Sequence, residues 1–245
     1  MAYAVQWVRS LIFISAVYLS IAVVGLVLFP WAMLSRKGAR AGSMAVCLFV
    51  RWAAPWMIGL RTEIRGAAPD YKCIIASKHQ SFLDVFLVFS ALPAGKFIMK
   101  RILMYAPVVG QYALRIGCIP VDRGKRGAAI KQMVKAVESG AATPGQLIIY
   151  PQGTRVAPGV KAPYKVGTAV LYDQLNQPCV PVATNVGLFW PKRGIYRRPG
   201  TAVVEFLDPI PPGLPRSMFL PLLEDRIETA SNRLNAEARG HVAQE

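Results

Sequence analysis

His79 and Asp84 are the residues of this chain best suited to moving a proton. They lie five positions apart in Lys78-His79-Gln80-Ser81-Phe82-Leu83-Asp84. The one other histidine, His241, sits almost at the C-terminus. An imidazole changes charge near neutral pH, and a carboxylate bonded to it fixes its tautomer and stabilises its cation. The spacing restricts how the two can meet. On a single helix, positions five apart diverge by about 140°. The pairing therefore requires His79 to precede a helix whose first turn carries Asp84. Ser81-x-x-Asp84 reads as a capping box and predicts a helix starting at Ser81. The apolar run Cys73-Ile74-Ile75-Ala76 predicts the strand that delivers His79 to that turn. Capping alone would explain Ser81 and Asp84 but not the histidine.

Two further stretches put an arginine at the end of a short apolar run. Gln146–Tyr150 reads as a strand followed by Pro151-Gln152-Gly153-Thr154-Arg155. Glycine permits close backbone approach, threonine offers a hydroxyl, and arginine can grip phosphate or carboxylate through two N–H groups. Gly117-Cys118-Ile119-Pro120-Val121-Asp122-Arg123-Gly124 repeats the pattern. Taken singly, each arginine also fits a structural surface role.

In order and spacing, these blocks resemble the glycerolipid acyltransferase family that includes the 1-acylglycerol-3-phosphate acyltransferases. His79 and Asp84 match its H-x-x-x-x-D motif. Gly117 to Arg123 resembles its second block, Tyr150 to Arg155 its F-P-E-G-T-R block, and Val180-Pro181-Val182 its fourth. The resemblance covers the stretch from Leu60 to Pro211. Lys78 stands where the family often has asparagine, Gln152 replaces the glutamate, and Tyr150 replaces the phenylalanine. The resemblance implies transfer of a fatty acyl group from acyl-CoA or acyl-carrier protein to the hydroxyl of lysophosphatidic acid, giving phosphatidic acid. It implies His79 as general base with Asp84 behind it, and Arg155, Arg123 and Lys100 as phosphate ligands. Gly153 and Thr154 fall where an oxyanion or the acceptor would be positioned. Two alternatives stay open: a different lyso-lipid acceptor, such as a lyso-aminolipid, and a basic membrane-binding scaffold without catalysis.

The composition fits a lipid enzyme. Fully 53% of the 245 residues are hydrophobic and the mean hydropathy is +0.34, high for a water-soluble protein. The uncharged run Ser10–Ser35 is long enough to cross about 30 Å of hydrocarbon. Arg9 precedes it, and Arg36, Lys37 and Arg40 follow. That imbalance predicts a cytoplasmic catalytic domain, on the inner membrane of a bacterium. A second apolar segment, Ala41–Leu60, carries Arg51 at its middle. It reads as an interfacial helix or the returning arm of a membrane-embedded hairpin.

The net charge is +16, and the basic residues crowd the motif region. Twelve Lys and Arg face two acids between Val85 and Tyr172. Such a surface suits anionic lipids, phosphorylated acceptors and acidic acyl carriers. A nucleic-acid partner is not expected, because no binding motif accompanies the charge. Four scattered cysteines read as reduced core residues, and with two distant histidines no metal site is expected. No nucleotide-binding loop appears, so no cofactor is expected.

Positioning these groups calls for an α/β fold: a mostly parallel mixed sheet flanked by helices, with an N-terminal helical membrane anchor. The periodicity predicts strands at Arg61–Arg65, Lys72–Ser77, Lys96–Met99, Ile119–Val121, Gln146–Tyr150, Cys179–Thr184 and Thr201–Leu207. Helices are predicted at Ser81–Ala91, Pro107–Ile116, Gly127–Ser139, Tyr164–Leu175 and Ser217–Ala238. The domain boundary falls after residue 60, with the anchor in 1–60 and the acyltransferase domain in 61–245.

Overall fold

The computed structural model describes residues 2–122 and 145–242. Three helices lead the chain: α1 (Ala2–Val27), α2 (Phe29–Leu34) and α3 (Arg36–Ile58). The sheet strands are β1 (Leu60–Arg65), β2 (Cys73–Ser77), β3 (Lys96–Lys100), β4 (Ile119–Val121), β5 (Gln146–Ile149), β6 (Cys179–Thr184) and β7 (Gly200–Phe206). The helices among and after them are α4 (Leu83–Ala91), α5 (Val109–Ile116), α6 (Val166–Leu175) and α7 (Arg216–Val242). The predicted helix Gly127–Ser139 and Arg123 lie outside the described residues.

Seven strands form one sheet in the order β1-β7-β6-β2-β5-β3-β4. Every neighbouring pair is parallel except β6–β7, which is antiparallel. The central strands carry unbroken apolar runs because helices cover both faces. Side chains alternate with period two. Ile75, Ile148, Val180 and Val182 pack towards α3 and α4. Ile74, Ala76, Leu147, Ile149 and Cys179 pack towards α6 and α7. The first core also takes in Phe13 and Val17 of α1 and Val50, Ala54 and Ile58 of α3. The N-terminal helices thus share a core with the sheet.

The uncharged run Ser10–Ser35 is not one helix. It is interrupted after Val27, and Pro30 sits in the first turn of α2, where a missing N–H costs nothing. α1 instead begins at Ala2 and includes Arg9. The Arg9 guanidinium donates to Met57 O at 2.7 Å, at the C-terminal end of α3, where unpaired carbonyls and the helix dipole favour a cation. Both α1 and α3 are long and apolar enough to cross a membrane. Yet α1 is tied to the rest of the protein near both of its ends. Gln6 Nε2 donates to Ile58 O and Arg197 O, and the Arg197 amide donates to Ser10 Oγ at 2.9 Å. At the far end Tyr112 Oη donates to Gly25 O at 2.9 Å. One stripe of α1 is buried, at Ser10, Phe13, Val17 and Gly25, and the opposite side exposes large apolar residues. The unexpected charge inside the second apolar segment is also accounted for, since Arg51 turns to Ser90 Oγ of α4.

Candidate active site

The carboxyl ends of β2, β5 and β3 converge on one edge of the sheet, where α/β folds hold their chemistry. β2 ends at Ser77 and releases Lys78, His79 and Gln80 into a tight turn before α4. The helix starts at Leu83, two residues later than the capping box predicts, because Ser81 Oγ accepts the Leu83 amide at 3.1 Å. The reciprocal half of the box is present: Asp84 Oδ2 accepts the amides of Gln80 and Ser81, each at 2.8 Å. Asp84 Oδ1 accepts from His79 Nδ1 at 2.8 Å. A fully buried carboxylate thus organises the turn and the imidazole together. With its proton on Nδ1, His79 keeps the Nε2 lone pair available as a base.

Several neighbours of His79 are not evident from the motifs. Tyr150, at the end of β5, stacks on the imidazole with ring centroids 3.9 Å apart, and Phe97 stacks on Tyr150 in turn. Burial, and then the Asp84 carboxylate, push the Tyr150 phenol well above its usual range, so it stays neutral. Lys78 is buried, and its ammonium meets both oxygens of Glu228 on α7 at 2.5 Å. Glu228 also accepts from Tyr164 Oη at 2.9 Å. Three chain segments are therefore pinned beneath the histidine. Gln80 Oε1 accepts the Gly187 amide at 2.9 Å. Gln80 Nε2, Tyr150 Oη and both polar atoms of Gln152 are buried without a hydrogen-bond partner among the described residues. The Lys78 pair joins residues 150 positions apart, which no local pattern signals.

The Tyr150–Arg155 block forms a turn over the site. The Val156 amide donates to His79 O at 2.8 Å and holds this segment against the histidine backbone. Gly153 has φ +68°, a conformation that favours glycine, and the Lys165 side chain lies against it. The Gly153 amide donates to Tyr150 O at 2.8 Å, so this expected oxyanion donor is engaged in closing the turn. Thr154 is exposed. Arg155 lies beside Lys192, whose ammonium donates to Arg155 O at 3.1 Å, so two cations adjoin here. Lys100 ends β3 on the same edge and is exposed. Asp122 pairs with Arg101 at 2.7 Å. Among the described residues no group of three or more His, Cys, Asp and Glu could hold a metal ion.

An apolar cavity of about 200 Å³ lies between α1, α3, α4 and α5. Phe82, Phe86, Phe89 and Phe97 form one wall, and Ile21 and Val46 are among the residues opposite. Because Phe97 stacks on Tyr150 and Tyr150 on His79, two aromatic rings link the cavity wall to the imidazole. The arrangement offers a base, a cationic rim and an apolar chamber side by side.

Comparison with known proteins agrees. The family model described as Acyltransferase matches residues 61–185. A 1-acyl-sn-glycerol-3-phosphate acyltransferase of Pseudomonas aeruginosa is 32% identical over 160 residues, covering 64% of this chain and 62% of the relative. One of the same description from Limnanthes alba is 33% identical over 188 residues, covering 75% of this chain and 65% of the relative. This chain thus spans a little under two thirds of the length of these relatives. The crystal structure of the 1-acyl-sn-glycerophosphate (LPA) acyltransferase of Thermotoga maritima superposes with a TM-score of 0.78 at 18% identity. It covers 96% of this chain and 100% of that one, a likeness of fold.

Proposed function

The chain belongs to the acyltransferase family, and on that premise we propose that it acylates the free hydroxyl of lysophosphatidic acid from an acyl thioester, acyl-CoA or acyl-carrier protein, giving phosphatidic acid. The observation that carries this reading is the His79–Asp84 pair, held at the strand ends next to an apolar chamber. His79 Nε2 takes the hydroxyl proton as the acceptor oxygen attacks the thioester carbonyl. Asp84 stabilises the imidazolium. As the tetrahedral intermediate collapses, the C–S bond breaks and His79 returns the proton to the leaving thiolate. The nucleophile is the substrate's own oxygen, so no protein serine or cysteine is needed. Arg155 and Lys100, with Arg123, are assigned to the acceptor phosphate, and Lys192 and Lys165 add charge beside Arg155 and Gly153. Thr154 positions the acceptor. The acyl chain occupies the chamber lined by Phe86 and Phe89.

The bonds near both ends of α1 support a helix lying along the membrane surface rather than crossing it. Its buried stripe faces the protein and its exposed apolar side faces the lipid. The basic cluster Arg36, Lys37 and Arg40 supports the cytoplasmic side. The neutral, unpartnered Gln152 favours a second reading, acylation of another lyso-lipid whose headgroup hydrogen-bonds to a carboxamide. The test is product analysis of the purified chain with a panel of lyso-lipids and both donors. Phosphatidic acid as the main product supports the first reading. Exclusive use of a phosphate-free lyso-lipid overturns it.

A further inference from the structure

One apolar surface lies outside the N-terminal helices. After Lys100 the chain makes a short 3-10 turn, Arg101–Tyr105, in which no residue is buried. Ile102 is 59% exposed, Leu103 46% and Tyr105 69%, and Val109 at the start of α5 is exposed as well. Four large apolar side chains within eight residues facing water form a patch that a soluble surface has reason to avoid. The backbone is bent to present them. Val108 has φ 62° and ψ −61°, and the Val109 amide donates to Pro107 O at 2.6 Å across a three-residue turn. A β-branched residue takes up that conformation only at a cost, so its surroundings must hold it there. Gly25 of α1 does so. A Cβ there would lie 2.3 Å from Val108 Cγ1, and only glycine leaves room for the valine. Val108 and Val109, together with Ile21 and Gly25 of α1, line the apolar chamber.

The segment thus touches α1 through Val108 and Gly25 and borders the acyl chamber, and the basic Lys100 and Arg101 precede its exposed apolar residues in the chain. We propose that Arg101–Val109 is a second membrane contact, a wedge whose Ile102, Leu103 and Tyr105 enter an anionic bilayer surface beside α1. Arg101, which shares its charge with Asp122 at an exposed 2.7 Å pair, then meets lipid phosphates at the headgroup level, while Lys100 stays with the acceptor phosphate. The wedge and α1 together turn the chamber rim towards the lipid, so an acyl chain can pass between bilayer and chamber without crossing water. This inference rests on the proposed docking of α1 at the membrane.

All four native cysteines are buried, and burial raises the Cys118 thiol to about 11, so an introduced surface cysteine can be labelled selectively. Leu103→Cys and Tyr105→Cys, each carrying an environment-sensitive fluorophore, are mixed with vesicles containing phosphatidylglycerol. A label at Met218→Cys, on the exposed surface of α7, is the control. The expected result is co-sedimentation with vesicles, blue-shifted emission at 103 and 105, and quenching there by headgroup-depth spin-labelled lipid, with little change at 218. Replacing Ile102, Leu103 and Tyr105 together by serine should weaken vesicle partitioning roughly 10- to 100-fold. Co-sedimentation with labels 103 and 105 still water-like and open to iodide would overturn the wedge alone. An equal response at 218 would overturn it too. Absence of co-sedimentation would overturn both the wedge and the docking of α1.

Discussion

Removing Glu228 should unsettle the active site from beneath. The Lys78 side chain is 3% exposed and Glu228 is 28% exposed, with 2.5 Å between them. Breaking a buried pair by removing one partner costs about 3–5 kcal/mol, because a charge is left uncompensated. Water reaches Glu228, which places Glu228→Gln at the lower end, about 3 kcal/mol. The glutamine still offers Tyr164 Oη an acceptor, so the loss isolates the charge. For a chain of this size that corresponds to a fall of roughly 6–12 °C in the unfolding midpoint. Lys78→Met removes the orphaned ammonium. The double variant Lys78→Met/Glu228→Gln should therefore regain most of the loss, giving a coupling of about 2 kcal/mol or more in a double-mutant cycle. The assay is thermal unfolding of the full chain in detergent, followed by circular dichroism. Since His79 follows Lys78 directly, turnover should fall with Glu228→Gln and partly return in the double variant. A midpoint shift below about 2 °C for Glu228→Gln, or strictly additive single changes, would refute the reasoning.

The remaining expectations concern the site itself. Tyr150→Phe should keep the stack on His79 and retain most activity, because the ring is what packs on the imidazole, whereas Tyr150→Ala should cost about 3–5 kcal/mol of stability. Burial raises the Tyr150 phenol, so the folded state holds that proton while the unfolded chain loses it near pH 10; stability should fall as pH climbs past that value, and less steeply in Tyr150→Phe. Gln152→Met should leave the fold at least as stable, since the carboxamide has no partner, while raising the acceptor KM if that group meets the substrate. Arg155→Ala should raise the KM for lysophosphatidic acid roughly 10- to 150-fold and that of the donor much less, with Arg155→Lys rescuing only in part. An equal rise with a phosphate-free lyso-lipid would contradict the phosphate assignment.

The strands were legible because short, mostly apolar runs, unbroken in the central strands, are set off by polar and turn residues. β4 and β6 match the sequence reading residue for residue, β1, β2, β3 and β5 differ by one residue at one end, and β7 is shifted by one residue at both. The start of α4 shifted by two because the Ser81 hydroxyl chose the Leu83 amide, a preference that local geometry decides and composition does not. The N-terminal apolar helix is present, but its bounds differ from the uncharged run Ser10–Ser35 for a tertiary reason. Arg9 reads as the charged edge of a span, yet its charge is absorbed by carbonyls of α3 some 48 positions away. At the site, the H-x-x-x-x-D spacing announced the His79–Asp84 bond, because both partners flank one turn. The Tyr150 stack, the Glu228 partner of Lys78 and Lys165 over Gly153 come from separate segments, and only the folded sheet brings them to the histidine.

The central claim is that His79, oriented by Asp84, activates the acceptor hydroxyl. The most direct measurement is single-turnover thiol release from an acyl thioester in the presence of lysophosphatidic acid, comparing the native chain with His79→Ala and Asp84→Asn at matched folding by circular dichroism. The account predicts a loss of at least ~100-fold for His79→Ala and a smaller but large loss for Asp84→Asn, with acceptor affinity little changed. A folded His79→Ala protein that releases thiol at close to the native rate would contradict it.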